Sequence, residues 1–192
     1  MQFSKIEIMH LLKAWGAISL AFAIAMVGPS PASLLLGIPF AMITVGIGFL
    51  VHELAHKFVA QRYKCWAEFR ADNKMLLVAI ILSFTGFIFA APGAVYIHGA
   101  HLSKKQNGLV SLAGPAVNIV AAICFGTLAY FFSQYKLLSV LGSYGLTINA
   151  WLGLFNLLPF GPLDGKKVFE WSKIIWGISA AVCVTFLFFA WI

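Results

Sequence analysis

Residues 49–58 read Phe49-Leu50-Val51-His52-Glu53-Leu54-Ala55-His56-Lys57-Phe58, or FLVHELAHKF, and they close an almost unbroken apolar run that begins at Ile38. Three ionisable side chains in five greasy positions need a reason. A charged group at the centre of a membrane helix costs roughly 2.5–3.5 kcal/mol on insertion scales, and such residues mark function. On a helix His52 and His56 share one face, about one turn apart. Two imidazoles at that spacing can grip one zinc ion. Glu53 then sits beside the ion without ligating it, placed to accept a proton from water in the HExxH arrangement. Zinc lowers the pKa of a water to about 7, which supplies a nucleophile at neutral pH. The plain alternative is an exposed helix end near Lys57 and Arg62, and the apolar run up to Val51 argues against it. At about 1.5 Å per residue, His56 lies roughly 9 Å before Arg62 along the axis, inside the bilayer on its cytoplasmic side.

Composition says what surrounds this stretch. Of 192 residues, 61% are hydrophobic and only 10% charged, against about a quarter charged in a soluble domain. Polar groups cannot cover so much apolar surface, so lipid is the expected solvent. The chain reads as one membrane-embedded domain over 1–192. Its net charge of +7 sits at the ends of apolar segments, as cytoplasmic loops do, and nucleic acid is set aside as a partner. Cys65, Cys124 and Cys183 form no CxxC pair, so neither a disulfide framework nor a cysteine metal site is indicated. Lys5 and Lys13 before the apolar run from Trp15 to Val27 resemble a signal sequence. Pro29 and Pro31 crowd the would-be cleavage site, so a retained first helix is the expectation.

A spanning helix needs roughly 20 mostly apolar residues. Candidates are about 12–28, 34–60, 109–132, 137–160 and 172–192. A shorter apolar stretch, 75–91, decides whether the all-α membrane fold has five or six transmembrane helices. If it dips in and returns, twelve of the thirteen lysines and arginines face the cytoplasm and only Lys136 lies outside. If it crosses, Lys104, Lys105, Lys166, Lys167 and Lys173 are the ones outside, and the split falls to 8 against 5. The positive-inside rule favours the re-entrant version and five spans.

Catalytic zinc keeps three protein ligands and one open position, so a third donor is needed. His10, His98 and His101 fall near the N-terminus or in a polar loop. Asp164 stands out in FNLLPFGPLDGKK, residues 155–167. Pro159 lacks an N–H, so the helix should break there. Irregular backbone at membrane depth is tolerated only against protein or water. Asp-Gly is also a common turn pair, and local pattern alone leaves the choice open. Topology favours the ligand: with five spans, Asp164 emerges on the same face as the end of HELAH, and with six it emerges opposite.

Taken together, HELAH at 52–56, AGPAVN at 113–118 and NLLPFGPLDG at 156–165 resemble the site-2 protease family of intramembrane zinc metalloproteases, over about residues 45–170. The resemblance implies zinc held by His52, His56 and Asp164, Glu53 as catalytic base, and a transmembrane segment of another protein as substrate. It gives Asn118, the asparagine of GPxxN, a part in positioning the substrate or its carbonyl, and Asn156 a supporting part. Read from the residues alone, Asn118 fits an interhelical hydrogen bond equally well. A re-entrant, partly strand-like segment is implied after the HExxH helix, and PGAVYI (92–97) fits it as an edge to which an unwound substrate could add. Two departures stand: 75–91 is long for that element, and no PDZ-like or CBS-like domain is appended. The rivals are a metal transporter using the same histidines and a non-catalytic binder of membrane helices.

Overall fold

The computed structural model describes residues 3–88, 92–99 and 101–190. Helix α1 (Lys5–Val27) starts at Ser4, whose hydroxyl accepts the Glu7 N–H at 3.0 Å. It ends at Gly28, whose φ of 81° suits a residue without a Cβ. Pro31 opens α2 (Pro31–Ala41) in the first turn, where its missing N–H is harmless. Through a π-helical turn, Met42–Gly46, α2 continues into α3 (Ile47–Arg62). The result is one rod of 32 residues carrying FLVHELAHKF. Carbonyls of the widened turn take outside donors: Trp15 Nε1 donates to Met42 O at 3.2 Å, and Asn149 Nδ2 to Thr44 O at 3.3 Å.

Strand β1 (Trp66–Ala71), helix α4 (Asn73–Ser83) and strand β2 (Gly93–His98) follow. The strands pair antiparallel, Trp66 opposite His98 and Ala71 opposite Gly93. Capped by Asp72, α4 has 11 residues. At about 1.5 Å each it is about 16 Å long, roughly half of a hydrocarbon core. It is too short to cross, in keeping with the expected dip-and-return over 75–91; residues 89–91 of that stretch lie outside the described residues. The strand expected at 92–97 is β2. Its partner β1 was not anticipated.

Helix α5 (Lys104–Phe131) begins on a capping box made by Ser103 and Gln106, and α6 (Lys136–Asn156) returns beside it. Ahead of Pro159 and Pro162 the helix stops at Asn156, slightly earlier than the proline required. The Leu157 carbonyl freed there accepts Trp176 Nε1 at 2.6 Å. Helix α7 (Asp164–Trp171) resumes at the LDG, and α8 (Lys173–Ala190) completes the fold. Helices α1, the α2–α3 rod, α5, α6 and α8 are each long and apolar enough to span a membrane. Leu35, Leu36 and Ile174 point outward at 75–79% exposure, as side chains facing lipid do.

Helix α1 closes the edge of β1 that faces away from β2. Glu7 Oε1 accepts the Phe69 N–H at 3.0 Å and His10 Nδ1 accepts the Ala71 N–H at 3.1 Å. The other Glu7 oxygen forms an ion pair with Lys57, and both residues are buried. Nearby, the Ser4 hydroxyl donates to Glu68, which also accepts from Arg70; these bonds hold the Glu68 carboxyl below its usual range. The N-terminal helix is thereby tied to the sheet and to the residue after His56. An apolar core of Leu11, Ile18, Phe22, Val45, Phe49, Phe69 and Leu76 fills the space between them.

Candidate metal centre

Helical spacing puts His52 and His56 on one face of α3, and α5 packs against that face. Contact is possible because residue 114 is glycine: a Cβ there would land against Nε2 of both histidines, well inside van der Waals distance. The chain break before α7 delivers Asp164 to the same point. Gly165 allows this, since a Cβ at 165 would strike the Leu157 carbonyl. Asp164 Oδ2 lies 3.4 Å from His52 Nε2 and 3.1 Å from His56 Nε2, and the two Nε2 atoms are 3.0 Å apart. The expected set of three is thus brought together, and among the described residues it is the one group of at least three His, Cys, Asp or Glu side chains close enough to share an ion.

The donor set suits zinc. Ligands held about 2.0–2.2 Å from a tetrahedral zinc stand about 3.4 Å from one another, close to the spacings found. Orientation agrees as well. His56 Nδ1 is 2.8 Å from the Val110 carbonyl, and a carbonyl only accepts, so Nδ1 carries the proton and Nε2 turns a lone pair inward. Metal-ligating histidines are fixed in this manner. Electron pairs from three side chains converge on a point that a cation would neutralise.

Glu53, next to His52, is 8% exposed and lines the same cavity of about 190 Å³. Asn156 and Asn118 line it too, as do Val95 and Ile97 of β2 and Lys167 of α7. Asn118 Oδ1 is 2.5 Å from His52 Nδ1, and its Nδ2 donates to Gly48 O and to Asn149 Oδ1. Its amide is therefore engaged with α3 and α6, as the interhelical reading anticipated. Asn156 donates to Leu152 O at 2.9 Å. His10, His98 and His101 do not join the group: His10 serves the sheet edge, and the His98 ring lies tilted against Trp66.

Sequence reasoning did not single out Asn149 or the Val110 carbonyl, and Gly114 figured there only within the AGPAVN motif. A buried asparagine in an otherwise apolar span was the available signal for Asn149. Nothing local marks Val110.

Comparison with known proteins adds an independent line. A candidate zinc metalloprotease of Methanocaldococcus jannaschii is 39% identical over 189 residues, covering 98% of this chain and 96% of its own. Another, YwhC of Bacillus subtilis, is 30% identical over 151 residues, 69% of this chain and 68% of its own. Rip3 of Mycobacterium tuberculosis, also named as a candidate zinc metalloprotease, is 32% identical over 122 residues, 62% of this chain and 27% of its own length. No protein-family model matches the chain, and no solved structure matches it.

Proposed function

The chain belongs to the site-2 protease-like family of zinc metalloproteases, and from that premise we propose that it is an intramembrane endopeptidase, cutting transmembrane segments of other membrane proteins. It is an integral membrane protein, and zinc is its cofactor. One observation carries the proposal: His52, His56 and Asp164 converge, with Glu53 beside them, in a cavity walled by membrane-spanning helices.

His52, His56 and Asp164 would hold the ion. Once bound, zinc supplies Lewis acidity toward a substrate carbonyl and lowers the pKa of a water to about 7. Glu53 takes the proton of the attacking water on its carboxylate. It then returns that proton to the peptide nitrogen as the C–N bond breaks, so that the nitrogen leaves as an amine while the oxygen of the water stays on the new carboxyl group.

A peptide bond within a helix is shielded by its own hydrogen bonds, so the substrate must unwind first. Support for where it lies comes from the sheet. Side chains of α1 occupy the β1 edge, whereas β2 lines the cavity and, among the described residues, has no strand on its far edge. An extended segment adding to β2 would satisfy its own backbone there. The distribution of lysines supports a site that faces the cytoplasm; a cysteine at Lys104 that labels only from inside the cell is the check.

The experiment is reconstitution of the purified chain in lipid with a panel of single-span proteins. Cleavage within a span, lost on Glu53→Ala, is the expected result. Zinc transport without cleavage would replace the proposal with the transporter reading.

A further inference from the structure

His52 can turn a lone pair toward Asp164 only if its Nδ1 carries the proton. We infer that Asn149, on α6, sets this tautomer through Asn118 and is a positioning residue of the metal centre; its link to zinc rests on the reading of His52 as a ligand.

Backbone carbonyls can only accept, so they orient whatever meets them. Asn149 Nδ2 meets two: Thr44 O at 3.3 Å and Gly145 O at 2.8 Å. With its NH2 spent on them, Asn149 presents Oδ1 to Asn118 Nδ2 at 3.2 Å. Asn118 Nδ2 has a second acceptor, Gly48 O at 3.3 Å. Asn118 therefore turns Oδ1 to His52 Nδ1, 2.5 Å away. An amide oxygen has no proton to give, so His52 Nδ1 is the donor and Nε2 the lone pair.

The polarity is thus set from the π-helical turn to the metal site, through two asparagines that are both 0% exposed. If Asn118 flipped, its oxygen would face the Asn149 oxygen and the Gly48 carbonyl. Its NH2 would face His52 Nδ1, driving the proton to Nε2, where it would block the donor. Asn149 supplies one of the two repulsions that forbid this. The contact also needs glycine at 48, since a Cβ there would collide with Asn149 Oδ1. An asparagine that merely glued α6 to α3 would hold the helices together without any effect on the ring proton.

The test uses the full chain in lipid nanodiscs, metal-stripped and labelled with nitrogen-15 at histidine. Wild type should show His52 protonated at Nδ1. Asn149→Ala, and Asn149→Leu, which keeps most of the volume, should both show a mixture with the Nε2-protonated form at unchanged helix content. Zinc affinity, by chelator competition, should weaken by about 10–100-fold, as it does when an outer partner of a ligating histidine is removed. A His52 tautomer identical to wild type in both variants overturns the inference, whatever happens to stability. Zinc held as tightly by His52→Ala as by wild type would instead remove the ligand reading, while the ring proton still decides the role of Asn149.

Discussion

His52 Nε2 and His56 Nε2 stand 3.0 Å apart, with the Asp164 carboxylate 3.4 and 3.1 Å from them. Lone pairs that close repel, so the folded chain should gain stability when a cation separates them. Stripping zinc with a chelator should lower the melting temperature of the purified protein, and adding zinc should restore it. With free zinc at 100 times its dissociation constant, the gain is about 2.7 kcal/mol. Identical melting curves with and without zinc would contradict this.

Glu53 is adjacent to the donors but outside their group. Replacing it with glutamine keeps the shape and removes the proton acceptor. Zinc content should stay at the wild-type level while cleavage falls by about 10²–10⁴-fold, the usual contribution of a positioned acid–base group. Loss of zinc and activity together would make Glu53 a ligand or a structural residue.

Gly114 offers a sharper packing test. In Gly114→Ala the new methyl would press on Nε2 of His52 and of His56, so one ring or helix α5 must shift. The variant should still insert and stay helical, but bind zinc at least about tenfold more weakly, the lower end of what disturbed outer partners do. Chelator competition reads the difference, and unchanged affinity would show that the contact is slack.

The local part of this structure was legible in the sequence. HELAH fixes its own geometry, because residues four apart on a helix must meet on one face. Lysine placement gave the short α4, since charge asymmetry reports which apolar stretches fail to cross. Pro159 announced the break that frees Asp164. What stayed hidden depends on contacts between distant elements. Trp66–Ala71 is a strand because α1 supplies Glu7 and His10 to its outer edge and β2 pairs with the inner one; six residues carry too short a pattern to show that. Asn118 was legible as a polar residue of interest, but its engagement with His52 and Asn149 required knowing that α3, α5 and α6 meet there.

Glu7 and Lys57 make a buried ion pair between α1 and the residue following His56. Glu7→Leu strands the Lys57 charge and should cost about 3–5 kcal/mol, the range for an uncompensated buried partner. Adding Lys57→Met should recover most of that, because a desolvated pair contributes little beyond an apolar one. Thermal unfolding of both variants beside wild type tests it. If the double variant were as unstable as Glu7→Leu, the Phe69 amide, not the ion pair, would be what Glu7 serves.

The central claim is that an acid from the broken segment before α7 completes a zinc site begun by two histidines of α3. Zinc content of the purified full chain, measured beside Asp164→Ala after dialysis against a moderate chelator, tests it most directly. The account predicts close to one zinc per chain in wild type and little in the variant, with helix content unchanged. An Asp164→Ala protein that keeps its full complement of zinc would contradict it.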